Sequence, residues 1–229
     1  EILYIDKPLH WTSFRLVKMV RANLCRRLKI KKLKVGHAGT LDPLATGVMV
    51  ICTGKMTKQI DRLQAMTKEY IAEIKLGATT PSFDLETEVD VEYPTEHITN
   101  ELVEKTLTNF LGEISQIPPA HSAVKVNGKR AYEFARNNVD IELKPKMLVI
   151  DSIELLDYRL PTITIRVVCS KGTYIRALAR DIGFALDSGA HLTGLIRSKS
   201  GDTTLEDCLQ VDDLDDFFDQ HINTLEKID

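Results

Sequence analysis

The decisive stretch is Gly36-His37-Ala38-Gly39-Thr40-Leu41-Asp42-Pro43-Leu44-Ala45-Thr46-Gly47, followed at once by Val48-Met49-Val50-Ile51-Cys52. The second part is a short, β-branched apolar run and reads as a buried strand. The first is polar, punctuated by three glycines, and holds one carboxylate. It reads as a loop spanning residues 36–47 and fixed to a rigid strand, a place where reactive groups concentrate. Asp42 lies between Leu41 and Pro43-Leu44, so its carboxylate emerges from an apolar setting. An Asp before Pro is also a common turn former, and the residue alone leaves both roles open.

On either side of this stretch the chain alternates strands and helices without a strict βαβ rhythm. Ile2 to Ile5 reads as a strand, and Thr12 or Ser13 caps a helix with Phe14, Leu16, Val17, Val20 and Leu24 at helical spacing. Further on, 57–66 reads as helical, 70–76 as a half-buried strand, and 101–111 as an amphipathic helix with Leu102, Val103, Leu107 and Leu111 inward. Asn127-Gly128 signals a turn. Strands 147–158 and 162–169 follow, then a helix over 173–186 for which Gly189 is the expected stop. This pattern predicts an α+β fold.

The charge is unevenly spread. Between Lys7 and Leu41 there are ten basic residues and no acidic one, whereas 202–229 holds ten acidic residues and one lysine. Without that tail the chain has 29 basic and 23 acidic residues, so an acidic end follows a basic body. Such a body attracts polyanions, although a run of charge can equally be a solvated face. The longest apolar run, Val48 to Cys52, has five residues, against about 20 for a membrane-spanning helix. Cys25, Cys52, Cys169 and Cys208 form no C-x-x-C pair, which fits reduced thiols in a cytoplasmic protein.

Several chemistries fail on spacing. Gly54-Lys55-Met56 lacks the glycine and the hydroxyl of a phosphate-binding loop. The six histidines show no metal-ligand spacing, and no G-x-S-x-G elbow occurs.

The 36–47 stretch resembles the catalytic motif of the TruB family of pseudouridine synthases. Lys7-Pro8 with Thr12-Ser13, Lys68-Glu69-Tyr70, Ile117-Pro118-Pro119 through Ala131-Tyr132-Glu133, and Cys169-Ser170-Lys171-Gly172-Thr173-Tyr174-Ile175-Arg176 match that family in order. The resemblance spans roughly residues 2–201. It implies a pseudouridine synthase fold, a mixed and mainly antiparallel sheet flanked by helices. It also implies an isomerase that converts uridine 55 in the T loop of tRNA to pseudouridine after flipping it out, with no cofactor and no metal. By the same resemblance Asp42 is the catalytic carboxylate, as nucleophile on ribose or base or as a base at C2′. Arg176 is the arginine that pairs with it, and Tyr70 stacks under the target base. His37 fills the space the flipped nucleotide leaves, and Leu195 contacts the base. Tyr174, Lys171 and Arg197 lie in matching motifs and are expected at the RNA. The segment over about 121–146 corresponds to an RNA-gripping insertion whose Lys125, Lys129, Arg130 and Arg136 meet phosphates, as does the Arg26 to Lys34 cluster.

One departure from the family is His10, which stands where a glycine is usual. Another lies after Gly201, where 28 residues are too few for the RNA-binding PUA domain of many members. The expectation is a catalytic domain over 1–201, an acidic helical tail over 202–229 packed on it, and no PUA domain. The tRNA T arm is the expected partner, with a monomeric, cytoplasmic protein and no membrane contact. A folding-chaperone activity toward tRNA is a possible second role. The alternatives are a non-catalytic basic RNA binder and a synthase acting on another RNA.

Overall fold

A computed structural model of the chain describes residues 1–122, 124–126, 128–135, 137, 139 and 141–225. The principal elements, in chain order, begin with β1 (Ile2–Lys7), α1 (Ser13–Arg27), β2 (Val35–His37), β3 (Ala45–Thr53), α2 (Ile60–Ala65) and β4 (Lys68–Leu76). Then come β5 (Ala78–Thr79), β6 (Val91–Glu92), α3 (Asn100–Thr108), β7 (Gly112–Gln116), β8 (Lys125–Val126), β9 (Lys129–Arg130) and α4 (Ala131–Ala135). The chain continues through β10 (Lys146–Arg159), β11 (Thr162–Cys169), α5 (Ile175–Ala185), β12 (Ala190–Ser200), β13 (Thr203–Thr204) and α6 (Leu214–Leu225). The class is α+β. Two compact units share these elements: Glu1–Tyr70 with Ile196–Asp229, and Ile71–Leu195.

In the first unit β3 is central. It pairs antiparallel with β1 on one side and with β2 at its C-terminal end. Val48 to Cys52 are all at most 2% exposed, so both faces are covered, which is why the run is apolar without alternation. Val50 and Cys52 pack with Ala38 and Leu63. β1 alternates instead, with Leu3, Ile5 and Lys7 inward. α1 buries Leu16, Val17, Val20 and Leu24, and its N-cap is Thr12, whose side chain accepts from the Arg15 N–H. Its last turn ends on Arg26 and Arg27, placed to favour the helix's negative end.

The chain after β13 stays with this unit. Asp6 N–H donates to Leu209 C=O and Leu209 N–H to Tyr4 C=O, laying that segment along β1. α6 then buries Leu214 and Phe218. It meets the end of α1 through Arg27, whose Nε donates to Asp219 at 2.6 Å and whose Nη2 lies 3.0 Å from Asp215 Oδ1. Arg26 is 3.5 Å from the same Asp215 carboxylate.

In the second unit β10 pairs antiparallel with β11 and with β7, and α3 packs against β10 and meets α5. α5 buries Ile175, Arg176, Ala177, Leu178, Ala179, Ile182 and Gly183. The antiparallel pairs in both units make the sheet structure mainly antiparallel.

Several boundaries differ from the sequence expectation, each for a local reason. The expected loop 36–47 is shorter. Val35–His37 pairs with β3 as a strand, and β3 itself begins at Ala45, leaving 38–44 as the turn. α3 stops at Thr108, so Leu111 is 46% exposed, beyond the helix and just before Gly112 at φ 79°. Gly189 is not what ends α5. The left-handed residue there is Asp187, φ 50°, while Gly189 is required by packing, because a Cβ would lie 2.5 Å from the Tyr93 ring.

His10 has φ 64°, the left-handed conformation a glycine takes at little cost. The turn is therefore kept with a side chain present, and its N–H donates to Pro43 C=O at 2.8 Å. Histidine tolerates this region better than β-branched residues do but still carries strain. His10→Gly is expected to raise stability by about 0.5–1 kcal/mol, the strain relieved less the extra freedom of an unfolded glycine. Urea unfolding of the two proteins checks this.

Candidate active site

The residues expected at the site fall in both units. The first holds His37, Asp42, Tyr70 and Arg197; the second holds Lys125, Lys129, Arg130, Lys171, Tyr174, Arg176 and Leu195.

In the first unit the loop carrying Asp42 is anchored on both sides, by the first residue of α1 and by the turn before it. The Ser13 hydroxyl donates to Leu41 C=O and accepts from Leu41 N–H, both at 2.9 Å, while His10 N–H holds Pro43. Asp42 C=O accepts from Ala45 N–H, closing the turn into β3. A loop held at three backbone points presents the half-buried Asp42 side chain from a fixed place, as a reacting group requires.

Two buried cations stand behind this loop. Lys7, fully buried, donates from Nζ to Pro8 C=O at 2.9 Å and Trp11 C=O at 2.7 Å. Its pKa is lowered to about 8, mainly by burial; Asp42 opposes the shift, Arg197 adds to it and Asp6 opposes it. Between about pH 8 and 10.5 the unfolded chain holds a proton that the folded chain has lost, so stability rises with pH there. Urea unfolding of wild type against Lys7→Met is expected to show wild type gaining up to about 1.4 kcal/mol per pH unit across that window. A flat difference would remove the assignment.

Arg197 is expected at the RNA, and the structure places it elsewhere. It is 1% exposed, its Nε donates to Val48 C=O at 2.7 Å and its Nη2 reaches Gly39 C=O at 3.4 Å. The guanidinium binds the backbone on both sides of Asp42, at Gly39 and Val48, and so holds the stretch that carries it. Gly47, at φ +108°, passes so close to it that a Cβ would sit 2.3 Å from the Arg197 carbonyl oxygen.

His37 lies in β2, and its pKa is lowered by burial and by Arg197, against a backbone hydrogen bond at Gly39. The imidazole is neutral at pH 7, suited to packing against a base rather than to pairing with phosphate. Tyr70 is half-buried near the start of β4. The two residues before it are tied down: Lys68 Nζ donates to the carbonyls of Leu63, Gln64 and Met66 at the end of α2, and Glu69 accepts from the Ser198 hydroxyl at 2.8 Å.

In the second unit Arg176 is 4% exposed. Its Nη1 donates to Ser82 C=O at 3.1 Å and its Nη2 to His121 C=O at 2.9 Å, and Nε lies 3.5 Å from Asp84 Oδ2. A buried guanidinium with a carboxylate and two carbonyls around it is both charge-compensated and directed. Tyr174 is the N-cap residue just before α5, its N–H donating to Gln116 Oε1 and its C=O accepting from Gln116 Nε2. Lys171 is exposed in the preceding turn, and Leu195 is half-buried in β12. Lys129 and Arg130 are exposed on the β8–β9 hairpin, and Lys125 pairs opposite Arg130 by its backbone. Arg136 and the side chain of Lys125 lie outside the described residues. Arg27, expected among the phosphate contacts, is instead committed to Asp215 and Asp219, whereas Lys29, Lys31, Lys32 and Lys34 are exposed.

Sequence reasoning missed Asp84 and the placement of Lys7. Asp84 sits 92 positions before Arg176 in a polar turn and carries no local signal. Lys7 did carry one, since it continues the inward alternation of Leu3 and Ile5.

Residues 26–175 match the TruB family pseudouridylate synthase (N terminal domain), so the chain belongs to that family. The chain is 68% identical over 220 residues to a Bacteroides fragilis protein named tRNA pseudouridine synthase B, covering 96% of this chain and 94% of that one. A Dehalococcoides mccartyi protein of the same name is 44% identical over 214 residues, covering 93% and 69%. Among solved structures, a Cbf5-Nop10-Gar1 complex aligns with a TM-score of 0.72 at 28% identity, over 97% of this chain and 56% of that one. An H/ACA RNP bound to a substrate RNA containing 2'-deoxyuridine aligns with a TM-score of 0.68 at 25% identity, over 99% and 56%.

Proposed function

We propose that this protein is a tRNA pseudouridine synthase that isomerises uridine 55 of the T loop, with Asp42 as the catalytic carboxylate. The observation that carries this reading is the Asp42 loop, anchored by Ser13 and His10 and backed by Lys7 and Arg197, in a chain 68% identical to a protein named tRNA pseudouridine synthase B. The reaction breaks the bond between C1′ and N1, turns the uracil, and forms a bond between C1′ and C5. The C5 hydrogen leaves as a proton and N1 gains one, so no redox agent or energy source enters the balance. Asp42 acts on the nucleoside once it has left the stack, a step that unpaired loop nucleotides make at low cost. Tyr70 offers the flat face a flipped pyrimidine requires. Arg176, held by Asp84 and two carbonyls, is the arginine that the family resemblance assigns to the catalytic carboxylate. Lys171, Lys129 and Arg130 contact phosphates and so position the T arm without reading its sequence.

The test uses a T-arm hairpin tritiated at uridine C5, incubated with the protein in EDTA without added cofactor. Tritium release to solvent that disappears when the single target uridine is replaced by cytidine is the expected result. Tight binding without release would overturn the enzymatic reading.

A further inference from the structure

The turn before α1 and the first two turns of that helix carry a surface the catalytic assignment does not use. Leu9 is 48% exposed and Phe14 55%. Beside them the Arg15 guanidinium lies 3.9 Å from the centre of the Trp11 ring, and Lys18 Nζ lies 4.8 Å from the centre of the Phe14 ring. Two aromatic rings, each paired with a cation one helical turn further on, thus form a ridge at an end of the chain where no acidic residue occurs from Lys7 to Leu41. The ridge is built into the catalytic stretch, since the same turn holds Leu41 through Ser13 and Pro43 through His10.

A partner must satisfy two demands here. It needs flat faces or apolar atoms for Phe14 and Trp11, and negative charge for Arg15 and Lys18, which would otherwise be covered without compensation. A membrane offers too much apolar depth for two rings, and an apolar protein surface would strand both cations. An unpaired stretch of nucleic acid meets both demands, with base faces for the rings and phosphates for the cations.

We propose that Trp11 and Phe14, with Arg15 and Lys18, form a stacking platform for an unpaired nucleotide of the RNA substrate next to the one that reacts. The proposal rests on the function proposed above and adds a second nucleotide contact to it. The platform holds the loop after it opens, so its effect falls on binding rather than on the chemical step.

Trp11 is the only tryptophan in the chain, so its emission reports on this ridge alone. The full-length Asp42→Asn protein is titrated with the T-arm hairpin, reading Trp11 emission and, on a labelled hairpin, anisotropy. Quenching that saturates with the same Kd as the anisotropy, and that a loop-free duplex of equal charge does not reproduce, is expected. In the otherwise wild-type protein Phe14→Ala should raise KM for the hairpin roughly tenfold with little change in kcat, Phe14→Tyr should restore it, and Phe14→Leu should not. Unchanged emission at saturation, equal quenching by the duplex, or rescue by leucine would each overturn the platform. Quenching by an acidic peptide at comparable concentration would also overturn it, in favour of a protein partner. If wild type releases tritium from the hairpin while Trp11 stays silent, only this inference fails. If the hairpin is neither bound nor converted, both readings fall.

Discussion

Asp42→Asn is expected to bind the T-arm hairpin with nearly wild-type affinity and to release tritium at least about 10⁴-fold more slowly, the scale on which removing a reacting group acts. The amide is the same size and keeps the turn, because the anchors of this loop are backbone groups of Leu41, Pro43 and Asp42 itself. What it removes is the charge. A second readout follows from the fully buried Lys7. Since the Asp42 carboxylate is the largest influence raising that amine's pKa, the amide should push it further below about 8. The Nζ resonance followed with pH checks this in the absence of RNA. Full activity in Asp42→Asn would remove the catalytic assignment, and an unmoved Lys7 would show that the two groups do not share a field.

Gly47→Ala is expected to be the most damaging small substitution in the chain. Its Cβ would fall 2.3 Å from the Arg197 carbonyl oxygen and 2.8 Å from the Arg197 nitrogen, at φ +108°. Both obstacles are backbone, so no rotamer change relieves them, and a cost of about 3 kcal/mol or more is expected. For a chain of this length that lowers Tm by roughly 6–12 °C. Gly112→Ala provides the control: it also has positive φ, 79°, but nothing within 4 Å of the added carbon. Its cost should stay near the conformational preference alone, about 1–2 kcal/mol. Equal losses in the two variants would mean that the contact with Arg197 gives way easily.

The legible parts of this fold were those written in local periodicity. The β3 run could be placed because it is buried on both faces and therefore apolar throughout. The start of α1 could be placed because Thr12 is a capping residue before a helical pattern. Ends were less legible where tertiary contact decided them. Nothing local shows that Gly189 serves the Tyr93 ring while Asp187 turns the chain, or that His37 belongs to a strand because Ile51 lies opposite it. For the candidate site, the stretch around Asp42 stood out by its glycines and its family resemblance. The partners of the candidate residues did not, because their selection is geometric: Arg197, which binds the Asp42 stretch, looks like any strand arginine until its burial is known, and Asp84, which faces Arg176, like any turn former. The same limit misplaced Arg27 among the RNA contacts, since its acidic partners lie 188 and 192 positions away.

That pairing changes what α6 is. A lysine in open solvent carries a loose cloud of small anions, and a phosphate that displaces them gains the entropy of their release. Arg27 carries its anions covalently attached to the same chain, as Asp215 and Asp219. A phosphate arriving there would evict a tethered carboxylate, which cannot diffuse away and stays at high local concentration to return. Nothing is released, and added salt gives that phosphate no further competitor. The acidic helix therefore acts as an internal counterion. On the function proposed above, it withdraws Arg27 from the polyelectrolyte part of RNA binding and leaves that part to the exposed lysines from Lys29 to Lys34.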